Sequence, residues 1–335
     1  MKKYNQFEIF RFIGAISVII FHTARNTGFY NKIPILFQNG SIWVYFFFVL
    51  SGFMLTYSYS DKEVNIKKFY LTRLFKFYPT YIFSLLLLFV YSIKYKEKLV
   101  YSIFMIQSLI WGKATDQNYN YSAWYLSVLA FLILLFPFFL KLLKKFPKYS
   151  IYSAILLSAY TYYTYLIFNK YSDNSYIYHL INYFPLMHIA SFLLGMVLSY
   201  KLKNISTKKY FSFLIIFYFA FLMLFIQYNK VILYSSTVIS VSFIPLITFL
   251  FLDKGFFSNF MGNKIFVYLG SLSYSMYILH VPIYHIYRKY FHEIDSVYHF
   301  FIFFIIIFVI SIFSKLFIEN MFYRYLSKRY LKENS

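Results

Sequence analysis

The chain contains no cysteine, which removes disulfides, zinc–thiolate sites and a cysteine nucleophile from consideration. Acidic side chains are scarce: 11 Asp and Glu stand against 33 Lys and Arg, for a formal charge of +22. Such an excess invites a nucleic-acid reading. That reading fails, because the cations fall in short clusters between apolar runs, where they suit topology signals and anionic lipid headgroups. Some of them also suit a polyanionic cofactor at the cytoplasmic face. No internal repeat and no low-complexity linker breaks the chain, and no polar stretch is long enough for a soluble domain. One integral membrane domain over 1–335, without a fused soluble domain, is expected.

What is present is grease. Hydrophobic residues make up 61% of the 335 positions and aromatics 26%, with a mean hydropathy of +0.59. Soluble domains do not carry so many apolar runs, so an all-α, polytopic transmembrane helical bundle is predicted. Segments of spanning length run over 7–24, 41–59, 78–93, 122–141, 149–168, 177–200, 210–227, 231–252, 265–286 and 296–318. A further stretch, Leu99 to Trp111, is too short to cross and is expected as an interfacial or re-entrant piece on the outer side. With about ten spans and both termini cytoplasmic, the clusters around Lys67–Lys76, Lys141–Lys148, Lys201–Lys209 and Arg324–Lys332 share the side of Lys2 and Lys3. Met1-Lys2-Lys3 and the apolar run after it resemble a secretory signal. The run carries Glu8, Arg11 and His22 and no small-x-small cleavage site follows, so it reads as a retained first helix.

Five constellations stand out from this background. Arg11 and His22 lie eleven residues apart in the first segment. At 100° per residue they share one helix face, roughly 16 Å apart, about half a bilayer's hydrocarbon depth. Ionisable groups at that depth normally face protein or water, and histidine takes protons near neutrality. A histidine hydrogen-bonded at the outer interface is the bland alternative. Arg73 and Lys76, three apart at the start of the third span, suit a phosphate clamp or plain topology signalling, with Pro79 placed for a helix start. Ser51-Gly52 offers a hydroxyl and a site of close helix approach. Trp124-Tyr125-Leu126-Ser127 opens a helix at the outer face, where Trp and Tyr also serve as belt residues. Leu269 to Pro282 is a polar-flecked helix with Tyr274 and, near the outer face, His280, which is expected to share a level with His22 and Ser127. His179, His188, His285, His292 and His299 read as structural or interfacial.

The ordered set is more specific than any member. Glu8-x-x-Arg11-(ten)-His22 is followed by Phe47-Phe48-Val49-Leu50-Ser51-Gly52-Phe53 and Arg73-x-x-Lys76-x-x-Pro79. Trp124-Tyr125-Leu126-Ser127, Phe192-Leu193-Leu194-Gly195 and Leu269-Gly270-x-x-Ser273-Tyr274-Ser275-x-Tyr277-x-x-His280-x-Pro282 complete it. This series resembles the acyltransferase family 3 membrane enzymes and covers nearly the whole chain. The resemblance implies a bacterial enzyme that moves an acyl group, usually acetyl from acetyl-CoA, onto a hydroxyl of a cell-surface sugar. It puts the catalytic histidine at His22 and the basic pair, usually Arg-x-x-Arg, at Arg73 and Lys76. This chain departs from the pattern at three places. Lys76 keeps charge but loses the guanidinium fork. Leu129 stands where many members have glutamate, and Glu8 replaces the commoner aspartate.

The resulting expectation is a membrane O-acetyltransferase of the bacterial cytoplasmic membrane, a setting that the Lys-, Ile-, Tyr-, Phe- and Asn-rich composition also suggests. His22 and Arg11 are the catalytic candidates. Arg73 and Lys76 are expected to bind acetyl-CoA, with Glu8, Ser51, Trp124, Ser127, Tyr274 and His280 in support. No metal is expected. The acceptor would be a cell-surface or lipid-linked glycan, with capsule or exopolysaccharide favoured. Direct transfer and an acyl-enzyme through Ser51, Ser127 or His22 both remain open. A polysaccharide or lipid-linked-sugar transporter is the alternative; it predicts internal repeats. A non-catalytic scaffold would leave the Arg11–His22 stripe without a use.

Overall fold

A computed structural model describes residues 4–91, 96–110, 120–206, 211–228 and 236–330. The topology signals at Lys2, Lys3, Lys208, Lys209 and Lys332, together with Trp111, lie outside them. Fifteen α-helices occur in these residues: α1 Gln6–Thr23, α2 Ile35–Gln38, α3 Gly40–Tyr59, α4 Ile66–Tyr91, α5 Lys96–Ile103, α6 Trp124–Lys145, α7 Pro147–Phe168 and α8 Ser175–Asn182. They continue with α9 Ile189–Leu202, α10 Phe211–Tyr228, α11 Ser236–Leu252, α12 Phe256–Met261, α13 Lys264–Tyr290, α14 Val297–Phe313 and α15 Asn320–Tyr330. A π-helical turn, Ser314–Glu319, joins the last two. There is no strand among the described residues.

Eight helices among the described residues are long and apolar enough to cross a membrane. In lipid each backbone N–H and C=O must be satisfied within its own segment, which is why uninterrupted apolar runs become helices here. α11 is as apolar but has 17 residues, and α4 adds 26 residues whose first half is cationic. The lipid-facing sides stay greasy: Phe213, Phe217, Leu156 and Phe301 are all exposed. The centre is built instead from α1, α3, α9 and α13, whose buried residues include Trp43, Phe46, Phe192, Leu272 and Met276.

Two contacts set the geometry of that centre. α3 and α9 touch backbone to backbone. A Cβ on Gly52 would collide with the Phe192 carbonyl, and one on Gly195 with that of Val49. Without hydrophobic drive between helices in lipid, such small-residue contacts are a main source of packing. α1 and α13 run parallel: Gly270 abuts the backbone of Glu8 near their beginnings, and His280 meets His22 farther along.

Three local expectations are refined. Pro79 does not start its helix; it lies inside α4, which begins at Ile66, so Arg73 and Lys76 stand on a helix already formed. The segment expected over 177–200 stands as one crossing, Ser175–Leu202, but with its helix interrupted between α8 and α9 by a 3-10 turn at Pro185–His188, because proline lacks the N–H that an unbroken ladder needs. The last segment does not end at 318; its helix continues through the π turn to Tyr330. The described part of Leu99–Trp111 is the end of the eight-residue α5 followed by turns, with Met105 at a φ of 55°. At 1.5 Å per residue, α5 rises only about 12 Å, too little to cross.

Candidate active site

His22 and His280 form a hydrogen-bonded pair. His22 Nδ1 lies 2.8 Å from His280 Nε2, and the two rings are nearly parallel. His280 is fully buried, and its Nδ1 lies 2.5 Å from the Tyr277 carbonyl oxygen, one turn back on α13. A carbonyl only accepts, so the proton of neutral His280 belongs on Nδ1. Nε2 of His280 then accepts from Nδ1–H of His22. This network assigns the free lone pair to His22 Nε2. Tyr121 packs edge-on against the His22 ring at 5.0 Å, and Asn120 Nδ2 donates to the Ile278 carbonyl at 2.8 Å. The turn preceding α6 therefore closes over the pair.

Toward the start of α1 the chain encloses a cavity of about 600 Å³. Glu8, Arg11, Ser51, Lys76, Tyr274, Lys315 and Glu319 are among its lining residues. Its wall carries three cations and two carboxylates, largely self-compensated. Glu8 accepts from Arg11 at 2.5 Å, and Glu319 from Lys315 Nζ at 2.6 Å. Leu129 lines the same space, so its carboxylates come from α1 and the π turn.

A second cavity, about 970 Å³, adjoins the first, and Lys76 and Phe77 line both. Its charge is one-sided: Lys62, Lys68, Arg73, Lys76 and Lys328 against Glu63. Arg73 lies 3.7 Å from the centroid of the Phe69 ring and donates to the Phe69 carbonyl at 2.8 Å, which fixes the guanidinium on the wall. Both volumes fall in the range of ligand sites, about 300–1,000 Å³. A basic outer chamber suits phosphates, and a smaller, partly apolar inner one suits an extended arm.

Of the residues singled out in the sequence, the histidines meet each other, and Glu8, Arg11, Ser51, Lys76 and Tyr274 meet around the inner cavity. Arg11 belongs with the cavity and Glu8 rather than with His22. Tyr274 donates to the Phe77 carbonyl at 2.5 Å and so ties α13 to α4. Trp124 and Ser127 serve elsewhere. Ser127 Oγ accepts from the Ser108 N–H, and Trp124 packs on Tyr183 and His188. His179 and His188 hold carbonyls of Ser108 and Asn182.

Three contributors escaped the sequence reading, Tyr121, Lys315 and Glu319, and a fourth, Tyr277, stood there only as a motif position without a role. Tyr277 lines the inner cavity, packs against Phe47 and Tyr125, and touches the His280 ring at 6.0 Å. It links the cavity to the histidines. Lys315 and Glu319, an i,i+4 charged pair at the end of an apolar run, carried the one usable signal.

A family profile described as an acyltransferase domain matches residues 4–316. No curated protein and no solved structure matches the chain.

Proposed function

The chain belongs to this acyltransferase family, and from that premise we propose that it is an O-acetyltransferase of bacterial cell-surface polysaccharide with acetyl-CoA as donor. Membership and the long apolar helices make it a multi-pass membrane acyltransferase. The donor, the acceptor and the bacterial plasma membrane are our reading. The observation that carries it is the His22–His280 pair, with Tyr277 between it and a self-compensated cavity that adjoins a basic chamber.

In this reading Arg73 and Lys76 hold the phosphates of the donor in the basic chamber, where charge-assisted hydrogen bonds are strongest. Lys76, common to both chambers, marks where the pantetheine arm enters. Arg11, steadied by Glu8, lends positive potential to the inner wall. Tyr277 and its aromatic neighbours exclude water between the arm and the histidines. His22 Nε2 accepts the proton of the acceptor hydroxyl as it attacks the thioester carbonyl, while His280 holds the tautomer that leaves Nε2 free. Capsular or exopolysaccharide hydroxyls are the favoured acceptors.

The test is O-acetyl analysis of surface glycan from a strain lacking the protein, complemented with wild type or with His22→Ala. Loss of acetyl groups at unchanged glycan amount, restored by wild type alone, is expected. Glycan that fails to reach the surface would support export instead, and full acetylation with His22→Ala would remove the catalytic role. In vitro, His22→Ala is expected to lower kcat by about 10²–10⁴, the usual scale of a general base.

A further inference from the structure

Glu319 is a carboxylate 3% exposed, and only half of its hydrogen-bonding capacity is used. One oxygen accepts from Lys315; Oε2 is buried with no partner among the described residues. Leaving a buried charged oxygen unpaired is costly, so native proteins rarely do it without a use. Two further features point to a ligand. The side chain forms part of the inner cavity wall, beside Lys76 and Arg11. It also closes a π-helical turn, a distortion that recurs at functional sites, and this turn is pinned to α4 where Thr80 Oγ1 meets Ser314 Oγ at 3.3 Å. The residue lies beyond the stretch matched by the family profile.

We propose that Glu319, held by Lys315, accepts a hydrogen bond from the pantetheine arm of the donor and so makes the inner cavity selective for that arm. The proposal rests on the acyl-CoA reading above. The arm offers two amide N–H groups and a hydroxyl, and a turn about Cγ–Cδ exchanges the two carboxylate oxygens. Lys315 keeps the pair neutral overall, so the wall reads hydrogen-bond donors without repelling the phosphates gathered at Arg73 and Lys76.

The experiment compares initial rates of the purified full-length protein on three donors with one polysaccharide acceptor. The donors are acetyl-CoA, acetyl-pantetheine, which keeps the whole arm without the nucleotide, and S-acetyl-N-acetylcysteamine, which keeps one amide only. With the bond coming from the hydroxyl or the amide that the short thioester lacks, Glu319→Ala is expected to raise KM about tenfold for the first two and to leave the third unchanged. A tenfold change is about 1.4 kcal/mol, within reach of one hydrogen bond to a charged group. Glu319→Gln, which retains an acceptor oxygen and the volume, is expected to restore most of that loss. A uniform fall in kcat across all three donors, or no change in any, overturns the proposal. Should the variants not fold, wild type decides: it must prefer acetyl-pantetheine over the short thioester by about tenfold in kcat/KM, and equal use overturns the idea. Wild type that turns over none of the three overturns the donor reading itself, and this proposal with it; active wild type with an unaltered Glu319→Ala profile sinks this proposal alone.

Discussion

At the residue scale the proposed chemistry rests on which nitrogen of His22 carries the proton. His280 settles that by presenting an acceptor at 2.8 Å from Nδ1, and the Tyr277 carbonyl settles His280 in turn. His280→Ala is therefore expected to lower kcat by about 10²-fold with KM for the donor nearly unchanged, since tautomer control is felt in the chemical step rather than in binding. Steady-state kinetics of the purified variant, with its melting temperature as a control, checks this. A change confined to KM would remove the positioning role. His22 and His280 were legible in the sequence because histidine is rare in apolar helices. That they touch was not, since 258 residues separate them and only the fold brings α1 against α13. Tyr121 was invisible for a different reason: among 39 tyrosines, nothing local marks one.

Among the elements, α13 contributes most to the site. It supplies Tyr274 to α4, Tyr277 to the cavity and His280 to His22, at the three-residue spacing that keeps successive side chains along one side of the helix. The order of the long apolar helices was readable from run lengths, and the close approach at Gly52 from its setting; its partner Gly195 stood only as a motif position. Boundaries were less so. The cationic residues before Pro79 concealed the first turns of α4, and the π turn at Ser314–Glu319 has no sequence signature beyond the charged pair it presents. The α3–α9 contact gives a stability prediction. Gly195→Ala places a methyl group against the Val49 carbonyl, with a backbone on each side and no flexible side chain to yield. Overpacking of this kind costs about 1–3 kcal/mol. A lowered melting temperature in detergent is the expected result, and an unchanged one would mean that the helices separate freely.

Taken whole, the molecule divides its charge unevenly, which separates two kinds of electrostatics. The outer chamber is almost purely cationic, whereas the inner cavity pairs its cations with Glu8 and Glu319. Raising salt shortens the Debye length from about 10 Å at 0.1 M to about 3 Å at 1 M. KM for acetyl-CoA is expected to climb steeply over that range, and KM for acetyl-pantetheine, which lacks the nucleotide phosphates, to stay nearly flat. Parallel rises for both donors would show that the basic chamber is not where the phosphates go. Arg73→Ala is expected to flatten the salt dependence for acetyl-CoA at its high-KM end.

The histidine relay ends on a peptide oxygen rather than on an acid. A peptide dipole orients a ring but offers an imidazolium no countercharge. In the proposed mechanism a proton arriving at His22 thus finds no countercharge on the pair and passes to the departing sulfur within the same turnover. On that proposal the pair is a way station for hydrogen, never a store.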